Sequence, residues 1–434
     1  MPSAQDGVQA GEVLIQNEPK MRVPDDAVPA EQPPKPQQRP NKGLKAWLQV
    51  LGAFFIYFNT WGLISSFGSF QASFEKDLLR YHTPFEISTI GSLQSFLMVF
   101  LGFVAGPVYD LGYSRQQLWL GSLLIVLGTV AQSFSTKLWQ LLLSQGVVIG
   151  IGLGILAVLG VALPSLWFDR NLPLANGVNA SGSGVGGLVL PVVFRNLQNA
   201  VGFPWAVRTV AVICLVTMGI AVMALETPKV SSKRRAFVDR SITHDMPYLA
   251  FLVACVFVLL GIYTPFVYIQ SFALDNGIVS AGLATYILAI LNASSILGRI
   301  VPNFFAAEVG AMNMSVIATA TLCLSAFCFM AARNAAGLII LAAIYGFVVG
   351  TFALQPTIFV HLTPDPTCIG TTFGMAFTVM SFALLFGPPI AGALRREFGY
   401  DGAWGWAGAT LGVGILFLAL SRGLAKGWSL KSRV

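Results

Sequence analysis

Twelve apolar stretches, each long enough to cross a bilayer, follow one another from Ala46 almost to the C-terminus, and no other feature constrains the fold as strongly. They fall at about 46–70, 87–109, 116–134, 139–163, 173–194, 204–225, 247–270, 281–303, 312–332, 336–361, 369–393 and 404–424. A membrane-crossing helix needs about 20 mostly apolar residues, and each stretch meets that length. The stretches are continuously apolar rather than alternating, which rejects a membrane β-barrel. The expected fold is an all-α polytopic membrane protein. Charge supports this: Lys, Arg, Asp and Glu make up 10% of the 434 residues, against about 25% in an ordinary soluble domain, too few to build a soluble surface.

Residues 1–45 differ from the rest. They hold eight of the 23 prolines together with six acidic and six basic residues, and lack apolar periodicity, so a disordered tail without a secretory signal is expected. Basic residues orient the spans. With the N-terminus inside, eighteen of the 26 Lys and Arg fall on the cytoplasmic side, among them Lys42, Lys45 and the run Lys233-Arg234-Arg235. Both termini are therefore expected in the cytoplasm. The segment 226–246 is the longest connection between spans and divides them into two sets of six. The expected organisation is a cytoplasmic tail (1–45), an N-terminal six-helix bundle (46–225), a cytoplasmic central loop (226–246), a C-terminal six-helix bundle (247–425) and a short cytoplasmic tail (426–434). The basic residues form no single patch, so no nucleic-acid partner is expected. Five cysteines at irregular spacing in or beside apolar runs indicate neither a disulfide framework nor a zinc site, and no cofactor is called for.

Six plus six helices around a basic central loop suggest a transporter built from repeated bundles. The segment from Gly106 through Asp110 and Gly112 to Arg115, between the second and third spans, resembles the G-x-x-x-D-x-x-G-[RK] loop of the major facilitator superfamily. Four other segments resemble its monocarboxylate-porter branch, above all the fungal members: Thr83 to Gln94, Gln145 to Gly154, Leu166 to Gly177, and Gly387-Pro-Pro-Ile-Ala-Gly392. The resemblance covers residues 46–425 and implies the twelve-helix, two-bundle fold with alternating access. In the second half the loop is degraded, with Ala307 where relatives carry aspartate and Glu308 one place later. Gly106, Asp110, Gly112, Arg115 and Glu308 are thus the expected gating residues. Proton-coupled members carry a lysine where Ser65 stands and an acidic residue where Ser295 stands. No Asp or Glu lies deep in a predicted span, so coupling by that route is not expected. Facilitated diffusion, or coupling through boundary groups such as Asp110, fits better.

In such a fold the substrate lies between the halves near the midplane, and polar side chains inside spans are the candidates. Asn292, Ser295 and Arg299 share one face of span eight, and Arg299 suits a carboxylate or other anion. Tyr263 and Gln270 share a face of span seven. Asn59 in span one, Gln94 in span two, and Tyr345 and Gln355 in span ten complete the set, with interhelical hydrogen bonding as the competing role for each. Gly146, Gly150 and Gly154 form a smooth stripe for close helix approach. Gly182-Ser-Gly-Val-Gly-Gly187 satisfies G-x-G-x-x-G, but inside an apolar span with no preceding strand. Pro356, Pro388 and Pro389 are expected kink points.

The expected function is transport of a small organic anion or hydrophobic, ring-bearing metabolite, with efflux of a secondary metabolite favoured. Uptake of a monocarboxylate or vitamin-like solute is the alternative, and a non-transporting sensor is the alternative from another class. A membrane enzyme is not expected, because His82, His244 and His361 are dispersed. The expected setting is the cell membrane, as a multi-pass monomer.

Overall fold

In the computed structural model, residues 43–165, 167–168, 172–226, 244–363 and 369–427 are described, and all fall within one compact unit. The expected N-terminal tail up to residue 42, the body of the central loop and the last seven residues lie outside the described residues. What is described is helical, with no strand among the described residues. We number the long helices α1 (Leu44–Leu78), α2 (Pro84–Asp110), α3 (Ser114–Gln132), α4 (138–165), α5 (Leu172–Val201), α6 (Phe203–Ala224), α7 (Met246–Asp275), α8 (Ala281–Val309), α9 (Ala311–Met330), α10 (335–362), α11 (369–398) and α12 (400–426).

Ten segments among the described residues are long and apolar enough to cross a membrane. One of them, Gly374–Ala425, holds 52 residues, which at about 1.5 Å per residue is more than twice the hydrocarbon thickness. It divides at Gly399, where φ is 69°, a left-handed backbone that a glycine adopts without a Cβ penalty. Helix α3 spans 19 residues but is less apolar than the other ten.

The apolar stretches place the helices well and misjudge mainly where they stop. Helix α1 continues through Phe74-Glu-Lys-Asp-Leu78, ending in a π-helical turn, and α7 and α8 run on by five or six residues. These extensions carry charge, so hydropathy alone ends too early. Local chemistry sets other ends. Thr83 and Glu86 form a capping box ahead of α2, with Pro84 in the first turn. Helix α1 bends at Thr60 and Ser66, whose hydroxyls donate back to the carbonyls of Ile56 and Gly62. Helix α7 breaks at Tyr263, two residues before Pro265, which has no N–H for the ladder. Helix α10 tightens into a 3-10 turn at Thr351–Leu354, just before Pro356, whereas Pro388 and Pro389 sit inside the continuous helix α11.

Within the first six helices α1 packs on α4, α5 and α6, and α2 and α3 pack on α4. Within the last six, α7 packs on α12, α8 on α10, and α9 on α10 and α12. Three pairs join the two sets: the far end of α1 with that of α7, α5 with α8, and α2 with α11. The second and third pairs exchange if the halves are related by a twofold, with α1 and α7 at its axis.

Glycine makes these approaches possible. A Cβ at Gly182 or Gly186 would lie 2.2 or 2.4 Å from the carbonyl oxygens of Phe54 and Phe58 on α1. At Gly184 or Gly187 it would meet Ile296 at 2.5 Å or Asn292 at 2.3 Å on α8. The sequence that formally reads as a dinucleotide loop is therefore the helix threaded between α1 and α8. The Gly146, Gly150 and Gly154 stripe likewise lies against Leu93, Gln94 and Leu97 on α2.

Candidate functional site

Arg299 lies on α8, half-buried, at the contact of α8 with α5. Its Nη1 donates to Ser295 Oγ at 2.8 Å, and Ser295 in turn donates to the Asn292 carbonyl at 2.6 Å. Gly184 on α5 leaves room for the head group, since a Cβ there would lie 2.9 Å from Nη1. Tyr57 on α1 and Tyr263 on α7 stand within electrostatic reach of the cation. The two phenols come from two other helices.

Tyr263 also borders a small cleft between the two sets of helices. Ile64 and Phe67 of α1, Ser92 and Ser95 of α2, Phe266 of α7 and Pro388 of α11 line it. Tyr263 stands at the break in α7, with its ring 5.5 Å from that of Phe266. The Ser92 hydroxyl is buried without a hydrogen-bond partner, whereas Ser95 donates to the Gly91 carbonyl. An unpaired buried hydroxyl costs free energy unless something docks against it, and beside a cleft that is a reason to read it as a ligand contact.

Other candidates are committed elsewhere. Asn59 donates to the Phe55 carbonyl and to Thr217 on α6, both at 2.8 Å. Gln94 accepts from Gln145 at 3.5 Å, which accepts from Gln132 at 2.9 Å, a relay through α2, α4 and α3. Tyr345 donates to the Ile262 carbonyl at 2.8 Å, at the break in α7. Gln355 points at Cys255 in a separate small pocket between α7, α9, α10 and α12. Gln270 accepts from Ser69 at 2.7 Å across the halves. Asn292 packs its amide against Gly187 and donates to Leu288 at 3.0 Å. Arg299 bonds Ser295 with Tyr263 within electrostatic reach, and Asn59, Gln94, Tyr345 and Gln355 bond within their own sets of helices.

Tyr57, Ser92 and Ser95 escaped the sequence reading. Ser92 and Gln94 are two residues apart, about 200° around the helix, so Gln94 turns to Gln145 on α4 while Ser92 borders the cleft.

Of the expected gating residues, Gly112 turns the chain after α2 with φ of 88°, and Gly106 has no neighbour where a Cβ would stand. The Asp110 side chain lies outside what is described. Arg115 donates to the carbonyls of Val222 at 2.8 Å and Leu225 at 3.2 Å, so it caps the C-terminus of α6, where a cation is favoured. Arg422 near the end of α12 bonds Asn313 at the start of α9, so the third and sixth helices of each set are tied at the same end. Glu308 is exposed at the end of α8.

The family model described as Major Facilitator Superfamily matches residues 50–365. The chain belongs to that superfamily. It is 36% identical over 374 residues to a protein described as MFS-type transporter dbaD of Emericella nidulans, covering 85% of this chain and 84% of that one. It is 33% identical to the Aspyridones efflux protein apdF of the same organism, covering 84% of this chain and 75% of that one. Among solved structures, a mutant form of the nucleoside transporter NupG superposes with a TM-score of 0.70 over 88% of this chain and all of that one. At 14% identity that likeness shows the fold alone. This major facilitator is a multi-pass membrane transporter for a small molecule, and not an enzyme.

Proposed function

We propose that this transporter exports a small organic anion or ring-bearing metabolite by alternating access, with Arg299 as the anchoring cation. The observation that carries the reading is Arg299 bonded to Ser295 within electrostatic reach of Tyr57 and Tyr263, the last of which borders an apolar cleft together with Ser92. A guanidinium in a sheltered site binds carboxylates or phenolates strongly, and Phe67, Phe266 and Ile64 suit a ring. Efflux is favoured over uptake because a relative that covers most of this chain is described as an efflux protein.

The remaining assignments share this status. The chain belongs to the monocarboxylate-porter branch, its two bundles are 46–225 and 247–425, it works as a monomer in the cell membrane, and both termini face the cytoplasm. Coupling does not use the branch's usual lysine and acid, since Ser65 and Ser295 occupy those positions.

Two measurements test the function. Metabolite profiles of cells with and without the protein should differ in one organic acid or phenol, retained inside when the protein is absent. Arg299→Ala should then abolish vesicle transport of that compound with membrane insertion intact. Unchanged flux would remove Arg299 from the site, and identical profiles would remove export.

A further inference from the structure

At the end of the molecule opposite the start of α1, one arginine joins the two sets of helices. Arg395 on α11 donates from Nη1 to both oxygens of Glu75, at 2.8 and 2.9 Å, and from Nη2 to Asp275 at 3.1 Å. Glu75 stands on the charged extension of α1; Asp275 ends α7. The Arg395 and Glu75 side chains are 12% and 15% exposed, while that of Asp275 is 55% exposed. A charge-assisted pair sheltered from water is stronger than a wet one, so the bond across the halves is the firm one.

The partners are arranged for separation. Arg395 lies over the rings of Tyr400 at 4.4 Å and Tyr268 at 5.4 Å, and Tyr400 donates to Asp275 at 2.6 Å. All of these belong to the last six helices. Gln71, one turn from Glu75 on α1, donates to it at 2.6 Å. If the halves part here, the arginine keeps a carboxylate and two aromatic faces, and Glu75 keeps an amide and gains water. The ion pair breaks and no charge is stranded.

The position is that of a gate. Six residues further along α1 toward the middle, about 9 Å at helical rise, Ser69 bonds Gln270 across the halves. Next to it Gly68 presses on the Phe266 backbone, where a Cβ would come within 1.9 Å of the carbonyl oxygen. The cleft with Ile64, Phe67 and Ser95 lies beyond that contact.

We propose that the Glu75–Arg395 pair is a latch that holds shut the mouth of the central cleft on the membrane face opposite the start of α1, and that it opens once in each transport cycle. The inference rests on the alternating-access reading above. A latch of this kind sets the population of the open state, because breaking it favours one conformation over the other.

The test uses the full chain in cells, with the five native cysteines replaced and Ser95→Cys introduced in the cleft. A membrane-impermeant methanethiosulfonate reagent is applied to intact and to permeabilised cells. Glu75→Gln should raise the labelling rate of the introduced thiol in intact cells by about tenfold, equivalent to about 1.4 kcal/mol between the two states. Glu75→Lys should raise it further, and Glu75→Asp, which keeps the charge, should stay near the parent. Asp275→Asn should have a smaller effect than Glu75→Gln. A rise seen only after permeabilisation would keep the latch and reverse the orientation of the chain. If the parent thiol is reached from the other face and no Glu75 variant changes its labelling, the latch is wrong while alternating access stands. If the thiol is never reached from either face, both fail. If every Glu75 variant fails to reach the membrane, the pair is a folding element and the latch is overturned.

Discussion

Arg299 shows how a single residue gains meaning from its surroundings. On a helical wheel it is the far member of Asn292, Ser295 and Arg299, with a headgroup-facing arginine as the competing role. In the fold its guanidinium bonds Ser295 and lies near Tyr57 and Tyr263, three helices converging on one charge. Ser92 is the complementary case, an ordinary serine in the sequence that the fold leaves as an unpaired hydroxyl at a cleft. Because it has no protein partner to lose, Ser92→Ala should leave thermal stability nearly unchanged. If it bonds the substrate, KM should rise about two- to tenfold, the loss of one hydrogen bond worth about 0.5–1.5 kcal/mol. Vesicle transport of the compound found by profiling measures this, and an unchanged KM would remove Ser92 from the site.

At the level of helices, close glycine contacts divide into those within a set of six and those across the halves. Gly298 lets α8 touch α10, where a Cβ would fall 1.8 Å from the Phe347 carbonyl oxygen. Gly68 lets α1 touch α7 across the divide. Gly298→Ala should therefore act on stability, by about 1–3 kcal/mol of overpacking, read as a lower melting temperature in detergent. Gly68→Ala should act on transport, because it wedges apart surfaces that must meet and separate. Equal losses of melting temperature with no difference in flux would show that the two contacts do the same job. The apolar pattern revealed both helices of each pair, but not which glycine touches which partner. That depends on the rotation of each helix about its axis, and an almost uniformly apolar helix such as α10 carries little amphipathic signal to fix it.

For the whole molecule, an end bonded across the halves and a cleft between two sets of helices fit a carrier that rocks about its centre. An even number of spans, as proposed, puts both termini on one face. An epitope tag at either terminus should be reached by antibody only after permeabilisation, and staining of intact cells at one terminus alone would contradict an even count. The superfamily itself was legible in the Gly106–Arg115 loop and in the four further segments, and the family match over residues 50–365 bears it out.

The sequence by itself determined that the chain lives in a membrane, that it is helical, roughly where each helix runs, and its superfamily. These follow from free energies that add along the chain, chiefly the cost of bringing backbone and charge into lipid. Only the tertiary structure decided which polar side chains face the cleft, why α5 is rich in glycine, and that Glu75 and Arg395, 320 positions apart, share a bond. Those outcomes depend on how helices rotate and approach one another. Two residues at opposite ends of a chain carry no local mark of meeting until close packing brings them together.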